Sequence, residues 1–164
     1  MADTVLLTGA TGHVGTALLP RLLDDPGCVV LALVRAKDDA HLAEREAALR
    51  ALVPGAKQRV RAIRGDVTAP GLGLSPRDRA LVEAEATALL HSAASVRFDM
   101  PEDKATGENV ASTEGMLALA RTLAEKGRLV RHDHVSTAYV AGDRTGRVFE
   151  HECDLGQGFR NSYE

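Results

Sequence analysis

The chain has 164 residues, a formal net charge of −3, 45% hydrophobic and 26% charged residues, two cysteines and no tryptophan. That is enough for one domain with its own core, and the mild acidity with scattered arginines argues against nucleic acid or a membrane surface as a partner. Cys28 and Cys153 form neither a disulfide framework nor a metal motif, and no apolar run approaches the roughly 20 residues of a membrane span. Met1-Ala2-Asp3 runs directly into the first strand and leaves no room for a signal peptide, so a reducing, cytoplasmic setting is the expectation.

The first element is a short apolar run, Val5-Leu6-Leu7, that leads into Gly9, Gly12 and Gly15. A helical pattern follows, with Val14, Leu18, Leu19, Leu22 and Leu23 on one face. Strand, glycine turn and helix N-terminus together make an anion site, because the amides of the first helical turn are unpaired and the helix dipole favours negative charge there. Gly9 allows the tight turn, Gly12 lets a pyrophosphate approach the backbone, and Gly15 lets the helix pack on the strands. The spacing, T-G-x-x-G-x-x-G, resembles the nucleotide loop of the extended short-chain dehydrogenase/reductases. That resemblance makes Thr8, Gly9, Thr11, Gly12, His13, Val14 and Gly15 the expected dinucleotide contacts.

Asp24 to Gly27 is a turn, and Val29 to Val34 is a continuous apolar run, as expected for a strand buried on both faces of a parallel sheet. Arg35 follows it, where a nucleotide-binding βαβ unit reads the adenosine ribose. An acid there accepts from a free 2′-hydroxyl, whereas arginine suits a 2′-phosphate. The alternative for Arg35 is a solvated surface arginine. Arg45, in a helix expected from about Asp39 to Leu52, is a second phosphate candidate.

Val60 to Ile63 is a third strand, running into Gly65-Asp66-Val67 and a loop from Ala69 to Ser75. Ser75 caps a helix with Pro76 at its first position and Asp78 in its first turn. Ala88 to His91 is a fourth strand, followed by Ser92-Ala93-Ala94-Ser95. A long helix from Glu102 to Glu125, with a break near Gly107, closes on Lys126-Gly127. Val130 to Val135 is a fifth strand, and the tail from Ala141 to Glu164 reads as loop with a hairpin. The uninterrupted β-α alternation predicts an α/β fold, a Rossmann-type doubly wound parallel sheet.

Several segments, in order, resemble the fatty acyl-CoA reductases and thioester reductases, the male-sterility type of NAD(P)-binding domain. They are Gly65-Asp66-Val67 with Leu72-Gly73-Leu74-Ser75, His91 to Asp99, Asn109-Val110, His134 to Tyr139, and Asn161-Ser162-Tyr163. The resemblance covers nearly the whole chain. It implies an NADP(H)-dependent oxidoreductase that reduces an acyl thioester, on coenzyme A or a carrier protein, to aldehyde or alcohol. A nucleotide-sugar epimerase or dehydratase and a non-catalytic NAD(P)-binding module are the alternatives.

Asp66, with Val67, lies on the ligand side of the sheet and either accepts from the adenine amino group or is a turn aspartate. Ala93 and Ala94, with Ser95, are small enough for the cofactor to lie against that strand end. Phe98 reads as core. Hydride transfer to a carbonyl builds charge on oxygen, so the site needs a proton donor and hydrogen-bond donors. The resemblance makes Tyr163 that donor, with Thr137, or less favourably Ser136, holding the oxygen. It makes Asn109 the group that holds a water or backbone carbonyl beside the catalytic lysine. In the family that lysine lies one helical turn beyond the tyrosine. Here the sequence ends at Glu164. The expectation is therefore an NADP-binding domain over residues 1–164 that is part of a larger reductase and lacks the last strands and the substrate domain.

The fifth strand departs from the pattern. It reads Val130-Arg131-His132-Asp133-His134-Val135 where a buried strand should be apolar, and a buried, unpaired Asp133 would be costly. His132 and His134 share a face, but without a third ligand nearby they read as structural, and no metal is expected.

Overall fold

The computed structural model describes residues 3–164. The expectation that no leader precedes the first strand rests on Met1 and Ala2 and lies outside the described residues. Five strands, β1 (Thr4–Thr8), β2 (Val29–Val34), β3 (Val60–Arg64), β4 (Ala88–His91) and β5 (Arg131–His134), form one sheet in the order β3-β2-β1-β4-β5. Every pairing is parallel. The helices are α1 (His13–Leu23), α2 (Asp39–Ala51), α3 (Pro76–Glu85), α4 (Glu102–Ala105) and α5 (Ala111–Glu125). This is the expected doubly wound fold.

The continuous apolar strands divide by parity, because successive side chains point to opposite faces. Val5, Leu7, Val30, Ala32 and Val34 pack with Leu19 and Leu23 of α1 and Leu49 of α2. Leu6, Leu31, Leu33 and Leu89 pack on the other face with Val82 of α3 and Met116, Leu119 and Leu123 of α5. The face expected for α1 holds for Leu18, Leu19, Leu22 and Leu23, whereas Val14 is exposed on its first turn.

Local chemistry fixes the boundaries. Asp38 caps α2 and Ser75 caps α3, each accepting from the amide three residues on. Gly127, at φ +65°, ends α5 in a Schellman motif: Arg128 N–H donates to Leu123 O and Gly127 N–H to Ala124 O. The break near Gly107 is a turn of π-helix, Thr106–Val110, between α4 and α5.

The two sheet edges differ. At β3, α2 covers the edge: Ala62 N–H donates to Glu46 Oε2 at 2.7 Å, and Arg50 Nε donates to Val60 O at 3.0 Å. At the other edge β5 has no outer neighbour among the described residues. In this chain the strand is not buried. Arg131 and His134 are exposed, Asp133 is half-exposed, and Asp133 pairs with Arg131 at 2.6 Å. The expected hairpin in the tail is also absent among the described residues. That segment is a 3-10 turn, Ala138–Ala141, followed by loops.

Arg59, in the turn before β3, closes the lower rim. Its Nη1 donates to Asp25 O and Cys28 O at 2.7 and 2.9 Å, and its Nη2 donates to Leu23 O at 2.8 Å. One guanidinium thus satisfies the carbonyls at the end of α1 and the turn into β2. Arg59→Ala should lower unfolding stability by about 2 kcal/mol, the scale of charge-assisted hydrogen bonds to partly buried carbonyls. Urea unfolding measures it, and an unchanged midpoint would show these carbonyls are equally well solvated without Arg59.

Candidate active site

The candidate site lies along the C-terminal edge of the sheet, where β1 and β4 adjoin and the chain has crossed from one side to the other. Ligands of doubly wound sheets bind at such switch points. Gly9 leaves β1 at φ +71°, and a Cβ there would stand 2.7–2.8 Å from backbone atoms of Ser92 and Ala93. Both its backbone conformation and this close approach require glycine. A Cβ at Gly15 would collide with Gly9 O, so the helix can lie on the loop only with glycine there.

The N-terminus of α1 fits an anionic ligand. Gly12 is its cap and supplies no side-chain cap bond, and its first turn carries no acidic residue. Here α1 differs from α2 and α3, whose first turns are capped by side chains and hold Asp39 and Asp78. Thr11, Gly12, His13 and Val14 are exposed around these amides. A Cβ at Gly12 would meet only Gly9 O, at 3.2 Å, so its outer side is open. Orphan amides without a competing carboxylate are what a pyrophosphate needs.

Arg35, exposed just past β2, and Asp66, just past β3, are near enough that the Arg35 charge acts on the Asp66 carboxyl. Partial burial works against ionisation of Asp66. Two hydrogen bonds from Thr68 and the Arg35 charge outweigh it and hold the carboxyl below its ordinary value. Both Thr68 bonds fall on Oδ1, from N–H at 3.0 Å and Oγ1 at 2.8 Å. Asp66 is thus a turn aspartate with its second oxygen still available. Its N–H donates to Leu72 O at 2.8 Å, and Leu72 is buried in left-handed backbone at φ +64°. Val67 packs beneath this turn against the α3–α5 side of the core. Arg45, half-buried on α2, donates through Nε to His41 Nε2 at 3.1 Å.

On the β4 side, the loop after His91 is tied to β1 and to the π-turn. Ser92 and Ala93 N–H groups both donate to Thr8 Oγ1, at 3.2 and 3.3 Å, and Ser92 Oγ donates to Thr8 O at 2.8 Å. Asn109, within the π-turn, accepts from Ser95 N–H at 2.8 Å and donates to Ser95 O at 3.0 Å. A π-turn inside a helix re-aims the side chains it carries, and here it sets Asn109 against Ser95. The Asn109 side-chain amide is thus spent on the backbone of Ser95. Ala94 is exposed beside it.

Thr137 Oγ1 accepts from Tyr139 N–H at 3.2 Å and begins the 3-10 turn, while Ser136 is exposed next to it. Tyr163 sits edge-to-face with Phe98 and Tyr139, with ring centroids 5.2 and 6.1 Å away, and Phe98 and Tyr139 are 5.5 Å apart. Phe98 is 49% exposed, so the expectation that it belongs to the core is corrected. An open cleft of about 630 Å³ is lined by Met100, Asn109, Val110, Phe159 and Tyr163 among others. It lies beside the π-turn and the tail, apart from the glycine loop. Ser162 Oγ donates to Met100 O at 2.7 Å and fastens the tail there. Arg97 is paired with Asp99 through Nε and Nη2, at 3.1 and 3.0 Å.

His91, Ser92 and Ser112 were not singled out by sequence as individual contributors. Their one signal was polarity: His91 ends an otherwise apolar strand, and Ser112 falls on the buried side of α5. His134 approaches His91 with ring centroids 5.2 Å apart. No group of three potential metal ligands occurs among the described residues.

This fold and site define an NAD-binding domain of the doubly wound class. Comparison with known proteins makes the assignment narrower. The family model described as "Male sterility protein" matches residues 7–163, and the chain belongs to that NAD-binding family. It is 32% identical over 146 residues to the fatty acyl-CoA reductase wat of Drosophila melanogaster, covering 83% of this chain and 28% of that protein. Among solved structures it is similar to the terminal R domain of the myxalamid PKS-NRPS pathway, with a TM-score of 0.83 and 29% identity over 99% of this chain and 42% of that one. The reductase domain of a non-ribosomal peptide synthetase from Mycobacterium tuberculosis gives a TM-score of 0.70 and 32% identity over 86% of this chain and 34% of that one. The chain therefore spans less than half the length of these relatives. No helix among the described residues is long and apolar enough to cross a membrane.

Burial, then the neighbouring His134 and His132, push the His91 imidazole down to about 4 from 6.5. A folded value below the unfolded one means the unfolded chain takes up the proton first. The associated stability is complete above about pH 6.5 and is lost as pH falls toward 4. For His91 this amounts to about 3 kcal/mol, since each pH unit between the unfolded and folded values is worth roughly 1.4 kcal/mol. His132, also pushed down by burial and His134, adds to the same window. Unfolding free energies from pH 7 to about pH 4.5 should fall accordingly, and His91→Asn should flatten the decline. An equal slope in that variant would place the titration elsewhere.

Proposed function

We propose that the protein carrying this chain is an NADPH-dependent reductase of acyl thioesters, acting on an acyl group held by coenzyme A or by a carrier protein. The observation that carries the reading is the meeting, at one sheet edge, of an uncapped glycine-loop helix with a β4 loop pinned by Asn109, in a chain of this family. The reductases among its relatives support the same substrate class.

The chain's own residues divide the work. The free amides of the glycine loop between Gly9 and Gly15, with Thr11, take the pyrophosphate, Val14 and His13 flank it, and buried Thr8 holds the β4 loop behind them. Arg35, assisted by Arg45, takes the 2′-phosphate, and Asp66 with Val67 faces the adenine through its second oxygen. Ala93, Ala94 and Ser95 form the small-residue wall for the nicotinamide end. Bound NADPH supplies the hydride. Thr137, with Ser136 beside it, and Tyr163 donate to the thioester oxygen as it gains charge, and Tyr163 gives the proton. The resulting hemithioacetal loses its thiol and leaves the aldehyde. Asn109 acts by keeping Ser95 and its loop in place.

The direct test is turnover by the full-length protein with NADPH and either an acyl-CoA or an acyl-carrier protein, with aldehyde or alcohol and free thiol as products. No NADPH consumption with either thioester would overturn the reading. Tyr163→Phe should lower kcat by about 100-fold or more, the usual range for loss of a general acid. Retained turnover would assign the proton to another group.

Cofactor choice has its own test. Arg35→Asp should weaken NADPH binding by at least about tenfold, the equivalent of one charge-assisted contact, and narrow or reverse the preference over NADH. An unchanged ratio of the two affinities would mean that the 2′-phosphate is read away from β2.

A further inference from the structure

We propose that His91 is a positioning residue: a neutral imidazole, protonated on Nε2, that joins the cofactor loop at Thr8 to the Asn109 π-turn through Ser112. The role rests on the NAD(P)-binding part of the reading above and not on the identity of the reduced substrate. Thr8 and Ser112 are fully buried and His91 is 1% exposed, so the ring touches neither cofactor nor substrate and acts through its partners.

The protons can be assigned by counting. Thr8 Oγ1 accepts from the Ser92 and Ala93 amides, which occupies both of its lone pairs. Its only proton is then directed at His91 Nδ1, 2.7 Å away. An imidazole that accepts at Nδ1 and is neutral carries its hydrogen on Nε2. That nitrogen faces Ser112 Oγ at 3.4 Å, the longest link in the chain. Ser112 Oγ in turn donates to Asn109 O at 3.0 Å. The Asn109 side chain holds both backbone groups of Ser95, and the loop from Ser95 back to Ser92 returns to Thr8. Every donor has an acceptor around this ring, and only one tautomer closes it.

The ring links segments far apart in sequence: 83 residues separate Thr8 from His91, and 21 separate His91 from Ser112. It sets the spacing between the end of β1, the loop after β4 and the start of α5. Gly9 has no room to adjust against Ser92 and Ala93, so a shift in that spacing moves the glycine loop with it. A buried polar chain of this kind specifies geometry only when every member is satisfied. The His134 ring lies tilted against His91 at a centroid distance of 5.2 Å and His132 lies in register with Leu89, and neither makes a hydrogen bond to the His91 ring.

The test has two arms, both on the full-length protein. Long-range proton–nitrogen correlation on protein labelled with 15N-histidine reads the tautomer. The expected result at pH 7 is a neutral His91 with the hydrogen on Nε2; a hydrogen on Nδ1, or a cation, overturns the proposal. The second arm is a double-mutant cycle of Thr8→Val and Ser112→Ala, read as affinity for NADPH and for NADH by titration. With His91 present the two losses should fail to combine additively by at least about twofold. In His91→Asn, which keeps an acceptor for Thr8 and cannot reach Ser112, the Ser112→Ala effect should shrink to what its remaining bond to Asn109 O contributes, while Thr8→Val keeps its effect. Additive losses in the native background, or an undiminished Ser112→Ala effect in the His91→Asn background, would overturn it. Neither arm needs thioester turnover, so a protein with this tautomer and this coupling but no acyl reduction would refute the substrate assignment alone.

Discussion

The packing of Gly9 against the backbone of Ser92 and Ala93 is the contact on which the rest of the site depends. Here two loops leave neighbouring parallel strands and touch with no space for a single carbon atom. The left-handed turn at Gly9 brings α1 back over the sheet, and Gly15 lets that helix rest on the turn. The result is a helix end whose amides point outward over the switch point of the sheet. Nothing in its first turn competes for them. The exposed amides at this helix end are thus a consequence of how the backbone is packed rather than of any charged side chain.

The same contact explains why the β4 loop is tied down so heavily. Thr8 holds Ser92 and Ala93, and Asn109 holds Ser95. The loop that would wall the nicotinamide end is therefore fixed from both sides, while the adenosine side is built differently. There, Arg35 and Asp66 stand at the ends of separate strands and interact through charge, with Asp66 steadied by Thr68 and Leu72. One half of the site is preorganised by buried hydrogen bonds, the other by exposed charge. Salt should accordingly weaken the second far more than the first.

Much of this was legible because it is written in local patterns. The glycine spacing after an apolar strand, the Ser75-Pro76 cap and the Lys126-Gly127 stop each depend on a few adjacent residues, and each holds. The π-turn showed only as a break near Gly107, since sequence periodicity registers the interruption and not its geometry. At β5 the sequence showed that Asp133 would need a partner but did not show which one. Asp133 pairs with Arg131 two residues before it on the same strand. Phe98 was misread for a similar reason: apolar character does not say whether a ring meets the core or two tyrosines at the surface. The hydrogen-bonded ring through His91 was beyond reach, because its partners are brought together only by the pairing of β1 with β4 and the packing of α5 across them.

The central claim is that the glycine loop binds the dinucleotide because Gly9 locks it against the β4 loop. It is tested most directly by comparing NADPH affinity in Gly9→Ala and in Gly55→Ala, the latter at a position with nothing near its Cβ. The account predicts that Gly9→Ala loses at least about tenfold in affinity, as expected for a displaced loop, while Gly55→Ala binds like the native protein. Equal affinity in the two variants would contradict it.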